Sequence, residues 1–165
     1  MHTPDTQYVY HGSHELFETV IPKQNRRRNK DGEIIFDAIS FHTTPYYWIA
    51  LNYLCVCQNK EVRGENYWYS TGIDLYKYKE VIDVYGVDSL EESLDVLYGK
   101  GGYVYTYDVK DFFHTEGLGN FEVITDKSVE PLHIKKIDDP VSELRKLGIT
   151  FNFIDLAKSD SPLLF

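Results

Sequence analysis

The segment Gly101–Val109, GGYVYTYDV, alternates tyrosine with Val104, Thr106 and Asp108. A two-residue period of this kind fits an extended strand with two unlike faces and does not fit a helix. Further strands are expected over Gln7–His11, Ile34–Thr43, Tyr67–Ile73, Tyr103–Val109, Phe121–Thr125 and Leu132–Ile137. Aromatics at 15% of the chain agree with a sheet-rich fold, because pleated surfaces pack flat side chains well.

Helices are expected between the strands. The first follows Thr43-Thr44-Pro45, with Thr44 as cap and Pro45 at the first helical position. Its sequence, YYWIALNYLCVC, is apolar nearly all round, which predicts a buried helix. The second is DSLEESLDVLYG, capped by Asp88 or Ser89, with acids in the first turn and Gly99 as the stop. The third, shorter, is DPVSELRKLG. Strands with a few interspersed helices, no internal repeat and no Pro/Ser-rich linker predict a single α+β domain over residues 1–165.

Charge and cysteine content narrow the function classes. A formal net charge of -9 argues against a broad nucleic-acid-binding surface. Cys55 and Cys57 are too few for a disulfide framework, so a reduced, cytoplasmic protein is expected. The N-terminal MHTPDTQ lacks a signal pattern, and no apolar run approaches a membrane span. A Cys-x-Cys pair on a predicted helix points its thiols apart, so no metal site is expected and small apolar packing accounts for the cysteines. One segment, KQNRRRNKDGE, breaks the acidic trend with Lys23, Arg26, Arg27, Arg28 and Lys30. It reads as a solvated loop between two strands, or more sharply as a flap over an anionic ligand such as a pyrophosphate.

No Walker loop, GxSxG elbow or dinucleotide glycine fingerprint is present, and GKGG at Gly99–Gly102 precedes a strand instead of a helix. Three separated pieces carry more. YHGS at Tyr10–Ser13 ends a strand. AISFHTTPYYWIALNYL at Ala38–Leu54 is a strand running into a buried helix. GNFEVI at Gly119–Ile124 carries Glu122 inside a short apolar strand, facing away from Phe121 and Val123. Taken singly, each has an ordinary explanation: a strand-end histidine, a turn glycine, a solvent-facing glutamate.

In their order and context these pieces resemble the ADP-ribosyltransferase superfamily, particularly its poly(ADP-ribose)polymerase-like and diphtheria-toxin-like branch. His11, Gly12 and Ser13 match the HG(S/T) strand end, NFEVI resembles the late glutamate strand, and VEPLHIKKI resembles the strand that trails it. The resemblance implies a split pair of small antiparallel sheets with flanking helices, and NAD as substrate. It implies Glu122 as the catalytic carboxylate at the nicotinamide ribose, His11 at the adenosine ribose, Gly12 at the carboxamide, and Ser13 as a further hydroxyl contact to NAD. Tyr53 would stack on the nicotinamide ring, with Tyr46 and Tyr47 behind it. The second motif departs from the His-Tyr-Glu pattern: Ser40, Phe41, His42 and Thr43 all compete for the position, and none is tyrosine. A serine or threonine there is similar to the Arg-Ser-Glu branch, which puts Ser40 and Thr43 among the expected NAD contacts.

The expected activity is transfer of ADP-ribose from NAD to a protein, nucleic acid or small molecule. An NAD glycohydrolase and a non-catalytic binding module on the same fold are the alternatives. The chemistry is coherent, since loss of nicotinamide passes through an oxocarbenium-like ribose that a fixed carboxylate stabilises.

Overall fold

The computed structural model describes residues 3–56, 59–62, 65–71, 80–87 and 89–156. In chain order the elements are β1 (Tyr8–Ser13), β2 (Lys23–Arg28), β3 (Ile34–Thr43), α1 (Tyr47–Asn52), β4 (Asn59–Val62), β5 (Glu65–Thr71), β6 (Val81–Gly86), α2 (Leu90–Tyr98), β7 (Gly102–Asp108), β8 (Val123–Thr125), β9 (His133–Ile137), α3 (Pro140–Lys146) and β10 (Thr150–Asp155). The architecture is α+β, with small sheets and short helices. Two compact units share the chain, one from His2–Leu54 with Gly102–Ile137, the other from Cys55–Gly101 with Asp138–Phe165.

The first unit holds two three-stranded antiparallel sheets, ordered β1-β7-β9 and β2-β3-β8. They are tied where Tyr10 and Thr44 exchange backbone hydrogen bonds of 2.8 and 2.9 Å. Between the sheets lies an aromatic core of Val9, Val20, Phe41, Tyr105 and Tyr107. Phe17 stacks on Tyr105 at 4.1 Å between ring centroids, and the Tyr105 hydroxyl donates to the Glu15 carbonyl at 2.7 Å. A buried phenol usually satisfies its hydroxyl in this way.

The second unit is a four-stranded sheet ordered β10-β6-β5-β4, in which β10 and β6 run parallel and the other pairs antiparallel. Helix α2 packs on β6, and Gly86 permits this because any Cβ there would strike the Ser93 side chain. Ser89 caps α2 by accepting from the Glu92 N–H, and Asp139 caps α3 by accepting from the Ser142 N–H. No described helix is long and apolar enough to cross a membrane.

Several expectations are corrected. The Lys23–Arg28 stretch is a strand and not a loop: paired with β3, it places Gln24 and Arg26 on one face and Asn25 and Arg27 on the other. Helix α1 begins at Tyr47, after an extended Tyr46, and ends at Asn52. Pro45 therefore stands before the helix, and Thr44 accepts from the Tyr46 N–H instead of capping α1. Tyr53 terminates the helix and is 40% exposed, so it is not part of a buried helical face. Glu122 precedes β8 and does not lie within it. Cys55 is buried, while Cys57 lies outside the described residues.

Candidate functional site

Strand β3 organises the site, because its alternate residues Ser40 and His42 share one face of the sheet with Asn25 and Arg27 of β2. Glu122 comes to this face from a loop. Phe113 and Ile124 exchange backbone hydrogen bonds of 2.9 Å and close that loop at its base. Gly117, at φ 86°, carries it against the Ile35 carbonyl, where no Cβ would fit. A turn follows in which the Glu122 N–H donates to the Gly119 carbonyl at 3.0 Å. The Glu122 carboxylate reaches back to accept from the Gly119 N–H, also at 3.0 Å. The carboxylate is thus positioned by its own turn.

Arg27 completes the placement. Its Nη1 donates to Glu122 Oε2 at 2.5 Å and its Nη2 to Oε1 at 2.6 Å, a bidentate pair. The Glu122 side chain is 9% exposed and that of Arg27 38%. Burial pushes the Glu122 carboxyl up, but the bonds from Arg27 and Gly119 and the Arg27 charge outweigh it, and the group lies below its ordinary value. The carboxylate is ionised despite its surroundings.

The ring of His42 stands beside this pair. Its Nδ1 is 3.9 Å from Glu122 Oε1 and 3.3 Å from Arg27 Nη2, and its Nε2 is 3.0 Å from Ser40 Oγ. Arginine can only donate, so Nδ1 carries the lone pair and Nε2 the proton, which goes to Ser40. Burial, then the Arg27 charge, holds His42 below the ordinary histidine value against the opposing pull of Glu122. Asn25 secures Ser40 from behind, donating to its carbonyl at 2.8 Å and to its hydroxyl at 3.2 Å.

His11 meets the other side of β3. Its Nδ1 lies 2.9 Å from the His42 carbonyl, which fixes the proton on Nδ1 and leaves Nε2 as an acceptor. Its ring packs 4.6 Å from Phe41, and burial lowers its pKa. His11 does not touch Glu122; His42 stands between them, bonded to one through its backbone and adjacent to the other through its ring.

The remaining expected residues divide. Tyr53 belongs to the wider neighbourhood, its side chain lying within electrostatic range of Arg27. Gly12 lies beside the Tyr53 Cβ and the Ala50 carbonyl, so its missing side chain admits α1, and its close approach is to protein backbone. Ser13 Oγ accepts from the Glu15 N–H at 3.1 Å. Thr43 is 3% exposed and donates to the Val123 carbonyl at 3.1 Å, away from the Ser40 and His42 face. Tyr47 is set edge-on to Tyr10 at 5.2 Å. Ser13, Thr43 and Tyr47 thus have local structural roles, while the site gains Asn25 and Arg27, expected only as part of a basic loop or flap, and His42, one of four candidates for the second motif.

Within the basic run, Arg26 pairs with Asp37 at 2.8 Å, Arg27 with Glu122, and Arg28 donates to the Gly32 carbonyl at 2.7 Å. Among the described residues no group of three or more histidine, cysteine or carboxylate side chains is arranged to hold a metal ion. Comparison of the chain with protein-family models, curated proteins and solved structures finds no match.

Proposed function

We propose that this chain is an NAD-dependent ADP-ribosyltransferase whose catalytic residue is Glu122. The observation that carries the reading is the buried, ionised Glu122 carboxylate, fixed by its own turn beside the neutral ring of His42. Two small antiparallel sheets joined at Tyr10 and Thr44 agree with the architecture the sequence resemblance implies.

The groups present suit a dinucleotide. Glu122 is an acceptor for the 2′-hydroxyl of the nicotinamide ribose, and its charge opposes the cation that develops at C1′. The bond from C1′ to nicotinamide breaks with its electron pair leaving on the neutral base. An acceptor lone pair then forms the new bond to C1′, and the acceptor's proton passes to solvent. His11 Nε2 is an acceptor suited to a hydroxyl of the adenosine ribose. Tyr53, half exposed beside Gly12, offers a ring face for the nicotinamide. His42 fills the second-strand position of the resemblance, held in one tautomer by Ser40.

The protein is incubated with NAD labelled in the adenylate, nicotinamide release is measured, and label is sought on protein, nucleic acid and small-molecule fractions. Release matched by bound label is expected. Release with all label recovered as free ADP-ribose would make the protein a glycohydrolase. NAD binding without release would make it a binding module.

A further inference from the structure

The catalytic reading contains a conflict that Arg27 exposes. A carboxylate stabilises an oxocarbenium ion through its negative charge, yet a guanidinium at 2.5 and 2.6 Å turns that charge into a local dipole. Much of the hydrogen-bond capacity is also taken up: Oε2 accepts from both Arg27 and the Gly119 N–H, and Oε1 accepts from Arg27. In this state Glu122 is shielded from a ribose. We infer that Arg27 is a substrate-displaced latch, covering Glu122 until the pyrophosphate of a dinucleotide draws the guanidinium away; the inference rests on the ADP-ribosyltransferase reading.

Three observations support displacement. Arg27 sits on β2, an edge strand of its sheet, where the pairing register with β3 shifts between Arg27 and Arg28. Its side chain is 38% exposed, against 9% for Glu122, so the cation and not the carboxylate has a path to solvent. Glu122 keeps an anchor when Arg27 leaves, because the Gly119 N–H and the Gly119–Glu122 turn are independent of β2. The exchange is balanced in kind: the guanidinium passes from one bidentate oxyanion to another, so its charge stays paired. Substrate binding then both loads the site and unmasks its carboxylate. The same device suppresses reaction with ribosides that lack a diphosphate.

The test compares nicotinamide release from NAD and from nicotinamide riboside, which carries the same scissile bond and no phosphate. In the wild type NAD is expected to be favoured about a hundredfold or more in kcat/KM. Arg27→Ala is expected to narrow that preference about tenfold or more, with the KM for NAD rising and the riboside reaction becoming faster. Arg27→Lys, which keeps a cation on β2 but cannot cover both oxygens, should move both values in the same directions by less, and it serves if the alanine variant melts early. A riboside rate that stays level or falls overturns the latch: the first outcome makes Arg27 a phosphate anchor only, the second a structural ion pair.

Failure of the catalytic reading looks different, since wild-type protein would then release no nicotinamide from NAD. The latch is still decided by the carboxylate carbon resonance of Glu122, followed by NMR while ADP-ribose is added. A shift towards the position seen in free Arg27→Ala supports displacement. No movement at saturating ADP-ribose overturns it.

Discussion

Arg27 and Glu122, 95 residues apart in the chain, form a two-point ion pair that joins an edge strand to the loop before β8. Both residues are charged, and one is nearly inaccessible, so the pair fixes where each element can sit. It also sets the state of the carboxylate on which the proposed chemistry depends. Structure and function therefore pull on the same contact, and substitutions there separate the two.

Glu122→Gln keeps the shape of the side chain and removes its charge. Nicotinamide release is expected to fall about 10²–10³-fold, the usual loss on deleting a preorganised electrostatic group, while NAD binding is retained. Arg27 would then face a neutral amide. Because its guanidinium is partly solvated, the cost to folding should be about 1–2 kcal/mol, less than for a fully buried pair. Nicotinamide-release assays, urea unfolding and calorimetric NAD binding on the same preparation check these outcomes. A variant that releases nicotinamide at the wild-type rate would remove Glu122 from the mechanism.

Acid should destabilise the fold in two windows. His11 and His42 both lie below the ordinary 6.5, so the unfolded chain takes up protons there that the native protein refuses. Stability contributed by the neutral rings is complete above 6.5 and is lost progressively as pH falls below it. Glu122 lies below its ordinary 4.5, so its contribution is complete above that value and is lost as pH falls further, through the folded-state value. Thermal midpoints measured against pH should show the upper window softened in His42→Gln and the lower one in Glu122→Gln. Coincident curves for wild type and both variants would refute the assignment.

Legibility in the sequence followed the physical source of each element. Strand β3 was readable to the residue, over Ile34–Thr43, because its apolar pattern is local. Helices α2 and α3 were readable as DSLEESLDVLYG and DPVSELRKLG, because their caps, Ser89 and Asp139, act within a single turn. Strand β2 was not, since a run of Lys, Gln, Asn and Arg has little strand preference and becomes extended only by pairing with β3. The length of α1 misled for a related reason: apolar residues after Asn52 are buried without being helical, as Leu54 and Cys55 show. At the site, Glu122 could be picked out by order and context. His42 stood only as one of four candidates for the second motif and Arg27 only within a basic run, because contacts with residues so distant in the chain carry no local signal.

Gly12 offers a test of what its missing side chain is for. A Cβ built there would collide with the Ala50 carbonyl, part of the backbone of α1, and crowd the Tyr53 Cβ. Backbone cannot step aside as a flexible side chain does, so Gly12→Ala must shift α1 off β1. The expected loss is about 1–3 kcal/mol, the usual range for overpacking, read as a lower thermal midpoint. Because Tyr53 would move with α1, the KM for NAD should rise as well. An alanine variant as stable as the wild type would show that α1 gives way freely at this contact.

Tyr107 predicts a gain. Its ring is 1% exposed in the core between the two sheets of the first unit, and its hydroxyl has no hydrogen-bond partner among the described residues. Burial raises its pKa well above the ordinary tyrosine value, so the phenol stays protonated and its polar atom is simply stranded. Desolvating an unpaired hydroxyl costs about 1–3 kcal/mol, whereas phenylalanine keeps the ring contacts with Phe41 and Phe112. Tyr107→Phe should therefore raise stability by about 1 kcal/mol in urea unfolding and leave nicotinamide release unchanged, since the ring lies in the core and not beside Glu122. A destabilised Phe variant would mean that the hydroxyl does have a partner, and a tightly held water in the core would be the first place to look.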